Sequence, residues 1–351
     1  MADPALTERV LSQRELNRAV LARQHLLARS SATVSRTLHS VGGLQAQYAP
    51  STYVGLWSRQ TGLARAELTS AVEKRAAVQA TLMRVTIHVV ARADFWPFAL
   101  ATREARRALW LKARRGAVSA ESMEAAATLV RQRLCANGVV QRKELEQLVG
   151  KADTVGVGLW IDLVRVPPSG TWERRRADLF AVAEDWIGAP DSTVRDATDH
   201  LLRRYLKGFG PASRSDIASY TGLRQADIIV LALQRLPLRR FSSESGVELL
   251  DLPRQPLPDP DTPAPVRFLP TWDATLLVHA RRAGILPEEY RPRIFSTKNP
   301  HSLSTFLVDG VVAGAWRYEK GQIQLDPFEP LDHSTLKALK DEADRLADFH
   351  A

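Results

Sequence analysis

The sequence is poor in the residues from which covalent and metal chemistry is most often built. It holds one cysteine, Cys135, which excludes an intramolecular disulfide and any cysteine-based zinc finger. Its histidines, at 25, 39, 88, 200, 279, 301, 333 and 350, stand singly and without metal-ligand spacing, so neither a metal nor a cofactor is expected. There is no Walker loop, no dinucleotide fingerprint after a strand, no HExxH and no GxSxG. No apolar run approaches the roughly 20 residues that span a bilayer, and the start MADPALTERV has no apolar signal region. The expectation is a cytoplasmic, nucleoid-associated protein with no membrane partner. Lysine is scarce too, at 9 of the 48 basic residues.

The basic residues are therefore mainly arginine, and the formal net charge is +9. Arginine presents a planar fork of donors that suits phosphate and guanine edges, so its excess agrees with a polyanionic partner. A GC-rich coding sequence explains the Arg:Lys ratio as readily, but explains the surplus charge less well. Hydrophobic residues at 45% and charged residues at 25% are ordinary for a globular protein, and 351 residues leave room for two or three units.

Along the chain one order of elements recurs. SQRELNRAVLARQHLL has Leu16, Val20, Leu21, Leu26 and Leu27 near helical spacing, with Ser12 and Glu15 placed for a capping box. SATVSRTLHSVGGL predicts a second helix closed by Gly42 and Gly43, and STYVGLWSR a short third. In LMRVTIHVVAR, Val85, Ile87 and Val89 alternate with Arg84, Thr86 and His88, which predicts a strand with a polar face. Helices followed by a strand are the order of a winged-helix unit. SMEAAATLVRQRLCANGVVQRKELEQLVGK begins the scheme again, and IDLVRVPPSGTWERRR suits a wing. DATDHLLRRYLKGFGPASRSDIASYTGL begins it a third time, with Ser213 as a cap and Ile217, Tyr220 and Leu223 packed inward. PRQPLPDPDTPAP is too proline-dense for helix or central strand. STFLVDGVVAGAWRYEKGQIQLDPF predicts a three-stranded meander turning at Asp309-Gly310 and Lys320-Gly321, before a closing amphipathic helix. The expected class is α+β, mainly helical: three tandem winged-helix units at 1–118, 119–190 and 191–252, then 253–351 with the Pro-rich connection, a hairpin, the meander and the last helix.

The stretch GGLQAQ sets two uncharged amides, Gln45 and Gln47, two residues apart behind a glycine pair. Read alone, they fit caps of the helix end better than a catalytic pair, and the whole chain fits a non-catalytic transcription regulator or damage-binding protein. Several blocks together change that weight. LARQHLL, VGGLQAQYAPSTYVGLWSR, TLMRVTIHVV, LVRVPPSGTWERRRADLFAVAEDWIG, YLKGFGPASRSDIASYTGL, RFLPTWDATLLVHARR and FLVDGVVAGAWR, in this order and over nearly the full length, resemble the AlkZ/AlkX (YcaQ-like) winged-helix DNA glycosylases. The resemblance implies three winged-helix units in a C around a DNA channel, and a catalytic glutamine–apolar–glutamine motif that falls on Gln45-Ala46-Gln47. It implies excision of cationic N7-alkylguanine, including bulky adducts and interstrand crosslinks of DNA-alkylating natural products, in repair and antibiotic self-resistance. The implied partner is double-stranded DNA carrying alkylated guanine, bound by a monomer.

Other residues are candidates for DNA contact. Arg84, Thr86 and His88 either line the channel or form a buried polar network. Arg174 and Arg175, with Arg176, suit a phosphate-facing wing or a solvated turn. Arg291, Arg293, Lys298 and His301 surround Asn299-Pro300, in a segment that resembles the family's DNA-probing hairpin and equally suits an exposed turn. Asp273 suits a helix N-cap better than a site carboxylate, and Trp57 and Tyr48 suit the core better than a place flanking the lesion.

Overall fold

The computed structural model describes residues 9–280, 284–296 and 301–351. After strand β1 (Val10–Leu11), helix α1 (Gln13–Arg23) begins where the Ser12 hydroxyl accepts from the Glu15 backbone and the Glu15 carboxylate accepts from the Ser12 N–H. This is the expected reciprocal cap. Helix α2 (Val34–Val41) ends on Gly42 in the left-handed region, at φ 78°. Gly43 is left-handed as well, and a Cβ there would lie 2.6 Å from Val90 Cγ1 and 3.1 Å from the Val89 carbonyl. The glycine pair lets the chain drop from the helix directly onto a sheet, as strand β2 (Leu44–Gln45). Helix α3 (Ala49–Arg59) follows with Pro50 in its first turn, where the missing N–H costs nothing, and then α4 (Arg65–Glu73).

Strand β2 is the edge of a six-stranded sheet. The other strands are β3 (Ala77–Thr81), β4 (Ile87–Ala91), β5 (Val140–Gln141), β6 (Leu163–Arg165) and β7 (Leu179–Val182), in the order β2-β4-β3-β6-β7-β5 with every pair antiparallel. The sheet is continuous across residue 118, because β3 pairs with β6. Helix α5 (Arg92–Ala113) lies between the two halves in sequence, and α6 (Ala120–Asn137) and α7 (Arg142–Val149) precede the β6–β7 connection that carries Arg174, Arg175 and Arg176.

The next stretch holds the helix Val194–Phe209, the helix Arg214–Thr221 capped by Ser213, the helix Ala226–Gln234 and a hairpin of β8 (Arg239–Ser243) and β9 (Glu248–Asp251). β1 joins this hairpin, parallel to β8. Residues 253–265 form neither helix nor strand. Beyond them run β10 (Arg267–Leu269), the two-stranded β11 (Phe295–Ser296) and β12 (His301–Ser302), and the expected meander β13 (Ser304–Val308), β14 (Val311–Glu319) and β15 (Gln322–Pro327). β10 extends the meander to four strands, β10-β13-β14-β15. Both turns have positive φ at Asp309, Gly310, Lys320 and Gly321, as two-residue hairpin turns require. The helix His333–His350 closes the chain.

One core surrounds α5 and Val194–Phe209, with Phe95, Phe98, Leu201, Tyr205 and Phe209 buried. Another packs α3 against the meander and the closing helix through Tyr53, Trp57, Phe268, Phe306, Trp316 and Leu346. Two bidentate ion pairs cross between distant segments inside the protein: Arg59 to Asp273 at 2.9 and 2.8 Å, and Arg23 to Asp251 at 2.8 Å twice. Among the described residues no helix is long and apolar enough to cross a membrane.

Two expectations are corrected. The strand starts at Ile87, since Met83–Val85 is a single 3-10 turn with Arg84 at φ 55° and Val85 at φ 60°. Arg84, Thr86 and His88 therefore do not share a strand face. Tyr48 is 48% exposed rather than in the core, whereas Trp57 is buried.

Candidate functional site

The register of β2 on β4 sets Gln45 opposite His88, and directly opposed residues of an antiparallel pair project to the same face. Gln45 is buried. Its Oε1 accepts from Arg84 Nη2 at 3.2 Å, while Arg84 Nη1 donates to the Tyr220 carbonyl at 2.6 Å. The same guanidinium lies over the Tyr220 ring, 5.3 Å from its centre. The Tyr220 hydroxyl in turn donates to the Gly42 carbonyl at 3.1 Å. This closed circuit, Gly42 to Tyr220 to Arg84 to Gln45, binds the end of α2, the 83–85 turn and the helix Arg214–Thr221 into one support for a single amide. Burial lowers the pKa of Arg84 and raises that of the Tyr220 phenol, against the opposing pull each exerts on the other.

His88 is the other polar group of this face. Its Nδ1 lies 3.0 Å from the Thr86 carbonyl, which can only accept, so the proton sits on Nδ1. Burial first, and the Arg84 charge second, push the His88 pKa down to about 3, and the ring is neutral near pH 7. Thr86 turns its hydroxyl to the Met83 carbonyl at 2.9 Å. Arg84, Thr86 and His88 thus sit beside Gln45 with their bonds committed inside the protein.

Gln47 differs from Gln45. It lies in the bend between β2 and α3 and is exposed, whereas Ala46 between them is buried and donates its N–H to the Ile87 carbonyl at 2.7 Å. The motif therefore offers one amide held rigidly and one open to solvent.

The β6–β7 connection reaches this place from the other half of the sheet. Arg175 Nη1 donates to the Tyr48 hydroxyl at 3.0 Å, next to Gln47. Arg174 and Arg176 both face Asp178, at 3.0 and 3.5 Å, which halves their combined charge. Arg291 is paired with Glu288 at 3.1 Å, and Arg293 lies over the Phe328 ring at 3.9 Å. β11 and β12 pair antiparallel as Phe295 with Ser302 and Ser296 with His301, so the segment between them is flanked by a two-stranded ribbon. Lys298 lies outside the described residues, and of His301 only the backbone is described. Asp273 caps the 3-10 turn Ala274–Leu276 through the Thr275 N–H, at 3.0 Å, besides holding Arg59.

Tyr220 is the supporting residue that sequence reading missed. Its spacing marked it correctly as inward-facing, but nothing in a single chain reports that its carbonyl and hydroxyl meet residues more than a hundred positions away.

Comparison with solved structures finds Streptomyces sahachiroi DNA glycosylase AlkZ, with a TM-score of 0.80 over 97% of each chain at 19% sequence identity. At that identity the likeness concerns the fold. A search of curated protein sequences returns no match. The family model for DNA glycosylase AlkZ-like proteins matches residues 38–349, a span that includes Gln45 and Gln47, the Arg84 turn, Tyr220 and the β6–β7 connection. By that match over most of its length, the chain belongs to the AlkZ-like family of DNA glycosylases and is a DNA-binding enzyme of that class.

Proposed function

We propose that this protein is a monofunctional glycosylase that hydrolyses the N-glycosidic bond of cationic N7-alkylguanine in duplex DNA, with Gln45 and Gln47 at the reacting sugar. The observation that carries the reading is the pairing of a buried, arginine-held amide with an exposed one two residues on, inside the span that the family model covers. Alkylation at N7 places a positive charge on the purine, so the base departs neutral and no general acid is required. The remaining work is to seat a water at the anomeric carbon and to support an oxocarbenium-like sugar. Amides are suited to both, since each has an acceptor oxygen and two donors in fixed relation, and their carbonyl dipoles can face developing positive charge without titrating. Gln45 has one oxygen lone pair occupied by Arg84 and keeps the second lone pair and the NH2 group. Gln47 has its whole amide free to meet the DNA. His88, neutral beside Gln45, places no charge of its own on this face.

An amide is a very weak base, so the water's proton passes to solvent or to another acceptor as the bond forms. Such a site acts on an already activated base and leaves unmodified guanine intact. No lysine lies near the motif in sequence, Lys74 being the closest, in keeping with hydrolysis rather than Schiff-base lyase chemistry. Bulky natural-product adducts and interstrand crosslinks through N7 present the same cationic base, which places repair and antibiotic self-resistance within this reading. The β11–β12 ribbon and Arg175 are the proposed DNA contacts nearest the motif, and one monomer is proposed to suffice.

The test is base release from duplex DNA carrying N7-methylguanine, with duplex affinity measured on the same samples. Wild type frees the base, while Gln45→Ala and Gln47→Ala each lose about a hundredfold in rate, the usual scale for removing one positioned hydrogen-bonding group, and keep affinity within about twofold. Binding without release by wild type, or unimpaired release by the double variant, overturns the assignment.

A further inference from the structure

A cleft of about 370 Å³ opens beside Gln47, with Tyr48, Trp172, Arg175, Trp316, Tyr318 and His350 among its walls. That volume lies within the range of small-molecule pockets, about 300–1,000 Å³. Tyr48 and Tyr318 are 48% and 39% exposed, while Trp172 and Trp316 are nearly buried. Tyr318 is stacked on His350 with ring centres 4.3 Å apart and an interplanar angle of 19°, and Trp172 meets His350 edge-on at 5.1 Å. The cleft also reaches Ser302 and Leu303, so it extends from the motif to the base of the β11–β12 ribbon.

The charged side chains that line it are arginines, of which Arg317 is paired with Glu319 at 3.2 Å. Arg175 and Arg65 lie over the Trp172 ring at 5.7 and 4.9 Å, and Arg317 lines the opening. Burial, with the Arg175 and Arg65 charges, pushes the His350 pKa down to about 4, leaving the ring neutral. His350 Nε2 is buried and has no hydrogen-bond partner among the described residues. Aromatic walls of this kind stack planar groups of any sequence. The surrounding arginines disfavour the cationic purine itself as the occupant and leave an uncharged planar group as the better fit. On guanine, N7 and N9 belong to the same five-membered ring, so a group carried on N7 hangs close to the bond being cut.

We propose that this cleft is a substituent subsite, which stacks an uncharged planar aromatic group carried on N7 of the lesion between Tyr48 and Tyr318 and so sets which adducts the enzyme prefers. The placement rests on the glycosylase reading, but the stacking does not depend on turnover. The subsite makes Tyr48 and Tyr318 determinants of specificity rather than catalytic residues.

The test uses full-length protein and duplexes whose modified nucleotide carries a 2′-fluorine, which stabilises the glycosidic bond and keeps the lesion intact. Affinity is measured for N7-methylguanine and for N7-(naphthylmethyl)guanine, with release of N7-methylguanine from an ordinary duplex run in parallel. Wild type binds the naphthylmethyl duplex about tenfold more tightly than the methyl one, as one stacked aromatic group affords. Tyr318→Ala and Tyr48→Ala each remove most of that preference, and Tyr48→Phe, which keeps the ring and loses the Arg175 hydrogen bond, retains it. Both tyrosines are part-exposed, and circular dichroism checks that the variants fold. Equal wild-type affinity for the two duplexes, or a preference that survives both alanine variants, overturns the subsite even if N7-methylguanine is released. A preference lost in the variants while no base is released supports the subsite and counts against the glycosylase reading instead.

Discussion

The guanidinium of Arg84 commits one nitrogen to Gln45 and another to the Tyr220 carbonyl. In the sequence Arg84 suits a phosphate contact or channel wall and a buried polar network equally well. Its positive φ and burial turn it inward, where it acts as a positioning residue for the amide. Arg84→Ala is expected to slow base release at least tenfold while duplex affinity changes less than threefold, as single-turnover rates and anisotropy on one preparation will show. A loss confined to affinity would return Arg84 to the phosphate-binding set. His88 carries a pH prediction. Its folded pKa of about 3 lies below the unfolded value near 6.5, so the unfolded chain binds the extra proton. Its contribution to stability is complete above about pH 6.5 and is lost as pH falls toward 3, by up to about 1.4 kcal/mol per pH unit. Denaturant titrations from pH 7.5 to 4.5 should show this decline, and His88→Asn should flatten it. Base release, by contrast, should show no inflection from His88 between pH 5 and 9.

Among the elements, the glycine pair before β2 matters most for the site. Both glycines were legible as a helix stop. Their second role, allowing β2 to approach β4, depends on how near Val90 lies and is invisible without the sheet. Gly43→Ala meets both the positive φ and the 2.6 Å contact with Val90 Cγ1. It is expected to cost about 1–3 kcal/mol and to lower base release together with thermal stability. Gly62→Ala, also at positive φ but with no atom near a new Cβ, should pay only the backbone strain and leave activity intact. The 83–85 turn misled the sequence reading because alternation continues through it. A period of two is read from residue types, and a single 3-10 turn at the strand end leaves those types unchanged. Helix α5 was not readable from periodicity either. Its first half is buried on nearly all sides, from Asp94 to Thr102 apart from Pro97, which erases the amphipathic stripe.

For the whole molecule, the placement of the motif depends on buried charge as well as on apolar cores. Arg59 ends the helix that starts just after Gln47, and its bidentate pair with Asp273 anchors that helix to the segment following β10. Asp273 is held well below the usual carboxylate range by Arg59 and the Thr275 bonds, despite burial. Asp273→Ala leaves an unpaired buried guanidinium and is expected to cost about 3–5 kcal/mol, read as a lowered midpoint in urea. An unchanged midpoint would mean that Arg59 finds other partners. Association with DNA should be strongly salt-dependent, and Arg175→Ala should reduce the slope of log affinity against log salt by about 0.9, one phosphate contact. An unchanged slope would remove Arg175 from the backbone contacts.

The residues by themselves determined much of this protein. Caps such as Ser12 with Glu15 and Ser213 with Asp216, the Gly42 stop, the two Gly-containing hairpin turns and the inward set Ile217, Tyr220 and Leu223 are local chemistry, settled within a few positions. The order of the motif blocks was likewise enough to suggest the family. Tertiary structure decided what depends on chain segments far apart. It placed β3 of one half against β6 of the other in a single sheet, brought Arg175 to Tyr48, and put Tyr220 and Arg84 around Gln45. Hydrogen bonds and ion pairs at these places form between groups separated by up to about two hundred residues, and a single sequence records the groups but not which of them meet.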